Sequence, residues 1–273
     1  QKVYNFRSIL LTVGLAIIAH AIRMLIHEPG TTLRVILPGL AMVLLSTIAA
    51  TVLVSDVIAA LSGSNANAIL QIAPADVLLM LALGLTGLLG YALMAIHWHR
   101  HVLLNGPERA RDLRPGWSVI AFYIWRAITV ALVQILAAVP ILTALTVLAG
   151  FTGWQATPGQ TGSSMILGLL AGIAFVWIAL RFSITLPAAA MGQRMGLLQS
   201  WIVSAPMSGA ILSVAALLSL INVATSVILS LLLPGPGPAG LLLETCVFLA
   251  EGIIFVSVLT TLYGHLVEKR PLG

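Results

Sequence analysis

Glu251 is the residue that asks most of the chain around it, because it lies near the middle of an apolar run at 240–265. An ionised carboxylate at that depth costs roughly 2.5–3.5 kcal/mol, so it must be protonated, paired or facing water. Glu244 precedes it by seven residues on the same helical face. Ser219, Asn222, Ser226 and Ser230 follow a 3, 4, 4 spacing that puts them on one face of the preceding run. Two readings of this polar set stand side by side. It can be a proton, ion or substrate path between the two runs. It can equally be interhelical hydrogen bonding that holds a bundle together, worth about 0.6 kcal/mol per bond in a membrane.

The remaining chemistry-bearing residues lie near helix ends. His97 and His101 are i, i+4 and could meet one metal or haem if the helix continues through them. They are weak metal candidates, because no carboxylate or cysteine stands in register with them. A juxtamembrane cationic cluster with His99 and Arg100 is the plainer reading. Arg126 and Arg181 are expected to snorkel to the headgroups. Asp56 and Asp76 fall on the opposite side from the histidines, so no Ser-His-Asp triad can form. No catalytic residue is found and no cofactor is expected.

Small residues form two ridges. Gly84, Gly87 and Gly90 recur every third position, and Ser164, Gly168 and Gly172 every fourth. Such ridges let helix backbones approach closely, within a bundle or against a partner subunit. Pro140 should kink its helix and free the carbonyl of Leu136, which Gln134 or Thr143 could satisfy.

These residues need elements that can hold them in lipid. The chain is 273 residues long, 60% hydrophobic and 8% charged, with a mean hydropathy of +1.09. A water-soluble globule is excluded, since the polar surface cannot coat it. One cysteine, Cys246, excludes a disulfide framework. The expected fold is all-α: a polytopic transmembrane bundle of six spans at 33–55, 76–98, 120–149, 163–187, 208–233 and 240–265. Residues 1–30 are read as a separate N-terminal amphipathic helix lying in the interface, and 31–273 as the six-helix domain. In the first segment Thr12, Ala16, His20, Arg23 and His27 make one narrow polar stripe. Glu28-Pro29-Gly30 should end it. No small-residue cleavage site marks it as a signal peptide.

All thirteen lysines and arginines fall in four clusters that six spans place on one side. The loops 56–75, 150–162 and 234–239 carry none. By the positive-inside rule that basic side is the cytoplasm, and both termini lie there. Arg23, Arg100, Arg109, Arg111 and Arg114 are then placed to contact anionic lipid. The net charge of +5 belongs to this asymmetry and gives no sign of nucleic-acid binding. The turns at 62–68 and 152–164 and the Pro-Gly-Pro-Gly-Pro link at 234–238 are too short to fold as catalytic domains.

Several segments together carry a resemblance. They are the lead through Glu28-Pro29, the Trp98-His99-Arg100-His101-Val102-Leu103-Leu104 exit, the Arg181-Phe182-Ser183 to Leu186-Pro187-Ala188 exit, and the short piece with Trp201. The chain resembles a group of six-span alphaproteobacterial inner-membrane proteins, loosely Yip1-like and glycerophosphodiesterase membrane-domain-like. No soluble phosphodiesterase domain is expected within these residues, and Asn105-Gly106-Pro107-Glu108 stands where the group often has Gly-Glu. The resemblance implies a bacterial inner-membrane protein with no known catalytic residue.

Two functions follow as expectations. The first is a non-enzymatic accessory or assembly subunit of a larger membrane complex, respiratory or photosynthetic, whose partners are lipids and other membrane-protein subunits. The second is a small transporter or channel with a polar path centred on Glu251. Glu251→Gln is expected to abolish transport and leave assembly largely intact. Leucine at both Gly168 and Gly172 is expected to do the reverse, and paired flux and co-purification assays read the difference.

Overall fold

A computed structural model describes residues 2–62, 72–104, 106, 113–151, 161–232 and 238–272. Side chains are described for 12–61, 72–104, 106, 113–151, 165–232 and 239–272. The three expected non-basic turns fall largely outside these residues, as do Arg109 and Arg111.

Every regular element among the described residues is a helix. Its elements are α1 (Lys2–His27), α2 (Pro29–Leu53), α3 (Ser55–Ser62), α4 (Pro74–Leu103), α5 (Trp117–Phe151), α6 (Thr161–Phe182), α7 (Thr185–Ala190), α8 (Leu197–Ser204), α9 (Ser208–Leu232) and α10 (Pro238–Leu266). Six stretches are long and apolar enough to cross a membrane: Pro29–Leu53, Pro74–Leu103, Trp117–Phe151, Met165–Ala190, Leu197–Leu232 and Ala239–Leu266. The chain is an all-α, multi-pass membrane protein.

The helix breaks follow from local chemistry. Pro29 occupies the first turn of α2, where its missing N–H costs nothing, and Glu28 turns out of helical geometry before it. Gly30 lies inside α2 and supplies no turn of its own. Thr32 closes the corner by donating its hydroxyl to Leu25 O at 3.0 Å. At the end of α7 the chain reverses through Gly192, whose φ of +76° a side chain would disfavour. There Gln193 N donates back to Ala188 O at 2.8 Å.

The closest helix contact is between α2 and α4. A Cβ on Gly39 would lie 2.3 Å from Gly90 O and 2.6 Å from Met94 N. A Cβ on Gly90 would meet Met42 Cβ at 2.8 Å, and one on Gly87 would meet Ser46 Oγ at 3.0 Å. The ridge read from the sequence is therefore internal at Gly87 and Gly90, while Gly84 has nothing near it. On α6 the same split recurs: Gly172 rests on Ser219, and Gly168 meets nothing within 4 Å.

The α1 helix is tied into the bundle. Ile17 and Ala21 are fully buried in one cluster with Ile211, Val214, Val258 and Leu262 of α9 and α10. Gly14 sits so close to α9 that a Cβ would lie 2.4 Å from Ser213 Oγ. The polar stripe faces the other way: Thr12, Ala16, Arg23 and His27 are exposed and His20 is half-buried. Amphipathicity is thus as the spacing predicts, but the apolar edge meets helices. Among the described residues Ile17, Ile18 and Ala21 share one core with α9 and α10.

Packing is concentrated at the basic end of the bundle. There α7 is buried from Thr185 through Pro187–Ala190, among α4, α5 and α10. Toward the other end the helices bare their leucines: Leu81, Leu85 and Leu88 on α4, Leu136, Val139 and Leu142 on α5. Lipid is as apolar as leucine, so such faces are stable against it. From α5, Thr143 donates to Val139 O of its own helix at 2.8 Å and Gln134 to Phe175 O on α6 at 3.4 Å. Neither reaches Leu136 O, which corrects the expected relief of the Pro140 kink.

Gly39→Ala should destabilise the protein by about 1–3 kcal/mol, since backbone atoms block the new methyl. Gly84→Ala, with open space around it, should be neutral or stabilising by up to about 1 kcal/mol. Thermal unfolding in mild detergent compares the two.

Candidate functional site

Glu251 lies thirteen residues from the start of α10 and fifteen from its end. That depth leaves the neighbouring helices to supply its partners. Asn222 on α9 donates from Nδ2 to Oε2 at 2.8 Å. Thr225, one turn further along α9, donates its hydroxyl to Oε1. Both donors are neutral. Among the described residues no Lys, Arg or His lies within ion-pair distance of this carboxylate; Arg270 instead pairs with Glu268, at 2.6 Å, beyond the end of α10.

The carboxylate lines a cavity of about 360 Å³ between α4, α6, α9 and α10. Tyr91, Phe248 and Phe255 make aromatic walls, and Leu218, Ile221 and Val176 complete the apolar part. Tyr91 and Phe248 meet with ring centroids 5.9 Å apart, tilted by 36°. Gly252 admits Tyr91 to the helix surface, since a Cβ there would lie 2.7 Å from the tyrosine hydroxyl. Toward the basic end Phe255, Val176 and Leu218 back onto the packed core of Val258, Leu259 and Leu262 and close the cavity, while exposed Asn222 and Phe248 leave it open on the outer face.

The expected polar seam is only partly assembled. Asn222 and Glu251 meet. Ser219 is buried beside Gly172 with its Oγ unpartnered. Ser226 is exposed and donates to Asn222 O at 2.7 Å within its own helix. Glu244 is exposed and outside the cavity. Helices α9 and α10 touch each other only slightly, because α1 packs against both of them at the basic end. The working face of α9 is 218, 221, 222 and 225, rotated from the serine stripe. Thr225 stands outside that stripe, and its i+3 relation to Asn222 is the sequence signal that finds it.

A second group of polar side chains is structural. Arg181 is 5% exposed, and it does not snorkel. Its guanidinium lies 3.4 Å from the ring centroid of Trp201 and 5.2 Å from that of Trp177. It also donates to Ser204 Oγ at 3.0 Å and to Trp201 O at 2.7 Å. The α8 helix folds back over the end of α6 and leaves the arginine no route to a headgroup. Arg100 is also buried and donates to Ala190 O at 2.6 Å, which removes it from the lipid-contact set. Arg23 and Arg114 remain exposed.

The histidines do not converge. His97 Nδ1 lies 2.7 Å from Leu93 O of its own helix. His101 sits half-buried beside Trp98, with ring centroids 6.0 Å apart. Among the described residues no three His, Cys, Asp or Glu come together as a metal site. His99, between them, is the fully buried one. The Thr260 hydroxyl donates to Val256 O at 2.8 Å and so accepts from His99 Nδ1 at 2.8 Å. The free lone pair of the neutral ring then lies on Nε2, which is buried and has no partner.

Comparison with family models, with curated proteins and with solved structures gave no match. The site therefore rests on its own geometry.

Arg181→Met should lower stability by on the order of 3 kcal/mol, because two hydrogen bonds from a charged group are lost together. Glu251→Gln keeps an acceptor for Asn222, while Thr225 can turn its hydroxyl to Ile221 O or Asn222 O and accept from the new amide, so stability should change by about 0.5 kcal/mol or less. Melting curves of the two variants separate a structural polar group from one that faces a cavity.

Proposed function

We propose that this chain is a non-enzymatic membrane protein that binds a small molecule in the Glu251 cavity, as a small transporter of an inner membrane does. The observation that carries the reading is the cavity itself: blind at the basic end and lined by a carboxylate near mid-helix. An ionisable group at such depth is expensive to keep and is by default a functional candidate. At about 360 Å³ the space is at the small end of small-molecule pockets, roughly 300–1,000 Å³. A cavity closed at one end supports one state of a carrier over an open channel. The plugging turns of α10 would have to move for a ligand to pass.

A second reading has its own observation. Gly84 and Gly168 present bare backbone with nothing within 4 Å, and Gly84 is flanked by the exposed Leu81, Leu85 and Leu88. Such surfaces suit an accessory or assembly subunit of a larger membrane complex, respiratory or photosynthetic. Gly168→Leu tests that role without touching the bundle, whereas Gly172→Leu would press on Ser219 and confuse assembly with folding. The likeness to the alphaproteobacterial six-span group agrees with both readings and chooses neither.

The pocket reading is tested with Ile221→Trp, which fills the cavity without altering the carboxylate. Purified protein is melted with a panel of small cationic, anionic and neutral amphiphiles. At least one compound should raise the melting temperature of the wild type and leave Ile221→Trp unmoved. A panel with no such compound overturns the reading.

A further inference from the structure

We infer that the Glu251 cavity takes a lipophilic organic cation, seated with its charge against the carboxylate and its hydrocarbon on the aromatic walls. This inference rests on the pocket reading above. The argument begins with an uncompensated acid. Each carboxylate oxygen accepts one hydrogen bond, from Asn222 or from Thr225. An ionised carboxylate has about four lone-pair sites, so half of its capacity remains. Neither donor carries charge, and no cationic side chain reaches it among the described residues. A charge removed from water without a partner is costly, and a ligand that brings the opposite charge gains what the protein leaves unmet.

The walls narrow the class of cation. Tyr91, Phe248 and Phe255 offer aromatic surface within the same cavity as the carboxylate. Ring faces attract cations, most strongly when both partners are shielded from water. A hydrated metal ion is a poor fit, because hard cations need several oxygen ligands and this cavity supplies one carboxylate among apolar walls. An anion would meet repulsion from Glu251 and no positive group. A neutral donor could fill the open lone-pair sites but would bring no opposite charge to the carboxylate. What fits is a soft, weakly hydrated cation such as a quaternary ammonium or phosphonium.

Tetraphenylphosphonium and tetraphenylborate have the same shape and opposite charge, so they isolate the sign. Binding of each is measured by equilibrium dialysis on the full chain in lipid nanodiscs, with wild type, Glu251→Gln and Ile221→Trp. Saturable phosphonium binding is expected to the wild type, weaker by about ten-fold or more in Glu251→Gln and lost in Ile221→Trp. Borate is expected not to bind at this site. If borate or a neutral amphiphile binds there as well as the phosphonium, or if Glu251→Gln binds phosphonium unchanged, the cation inference fails while the pocket reading stands. If no probe of any charge binds in a manner sensitive to Ile221→Trp, both fail together.

Discussion

One serine oxygen joins three helices. Ser257 on α10 accepts from Trp98 Nε1 on α4 at 3.2 Å and donates to Ala21 O on α1 at 3.1 Å. In a medium without water every such group must find its partner inside the protein. A hydroxyl that both donates and accepts can satisfy two neighbours at once. The rest of the basic end is arranged about this junction. His99 reaches Thr260 one turn away, and Arg270 returns from the C-terminal segment to Val102 O and Leu103 O at 3.2 and 2.6 Å. These bonds place α1, α4 and α10 in one register.

That register has a consequence at mid-membrane. With α1 packed against both α9 and α10 at the basic end, the latter two helices cannot close on each other along their length. They meet through Glu251, Asn222 and Thr225. The space left beside that contact is the cavity. Rigidity on one side and an opening on the other come from the same packing choice. The apolar outer halves need no comparable network, because lipid solvates leucine and valine without a hydrogen-bond requirement.

The two groups of buried polar residues differ in how they are satisfied. Arg181 is enclosed by two tryptophans and bonded to fixed backbone and hydroxyl oxygens, so its needs are met within the fold. Glu251 is held by two neutral donors and left with open capacity beside a void. A charge whose partners are complete supports structure. A charge whose partners are incomplete, beside a space large enough for a molecule, is the place to look for a ligand.

The sequence by itself determined the helical class, the six spans and the clustering of basic residues on one side, because these follow from composition and from the length of apolar runs. It also pointed to Glu251 and Asn222, since a carboxylate and an amide in apolar runs are rare enough to be seen without coordinates. It did not reveal that Arg100 and Arg181 are buried, because an arginine near a helix end reads the same whether headgroups or a folded-back helix receive it. Nor did it find Gly39 as the partner of Gly90, or Thr225 as the second donor to Glu251, since both depend on the rotation of one helix against another. Hydropathy has no direction in a helix surrounded by lipid: apolar residues cover every face, and periodicity cannot say which face turns inward. Only tertiary contact fixed that rotation, through close backbone approach at α2 and α4 and through hydrogen bonds that a medium without water makes obligatory.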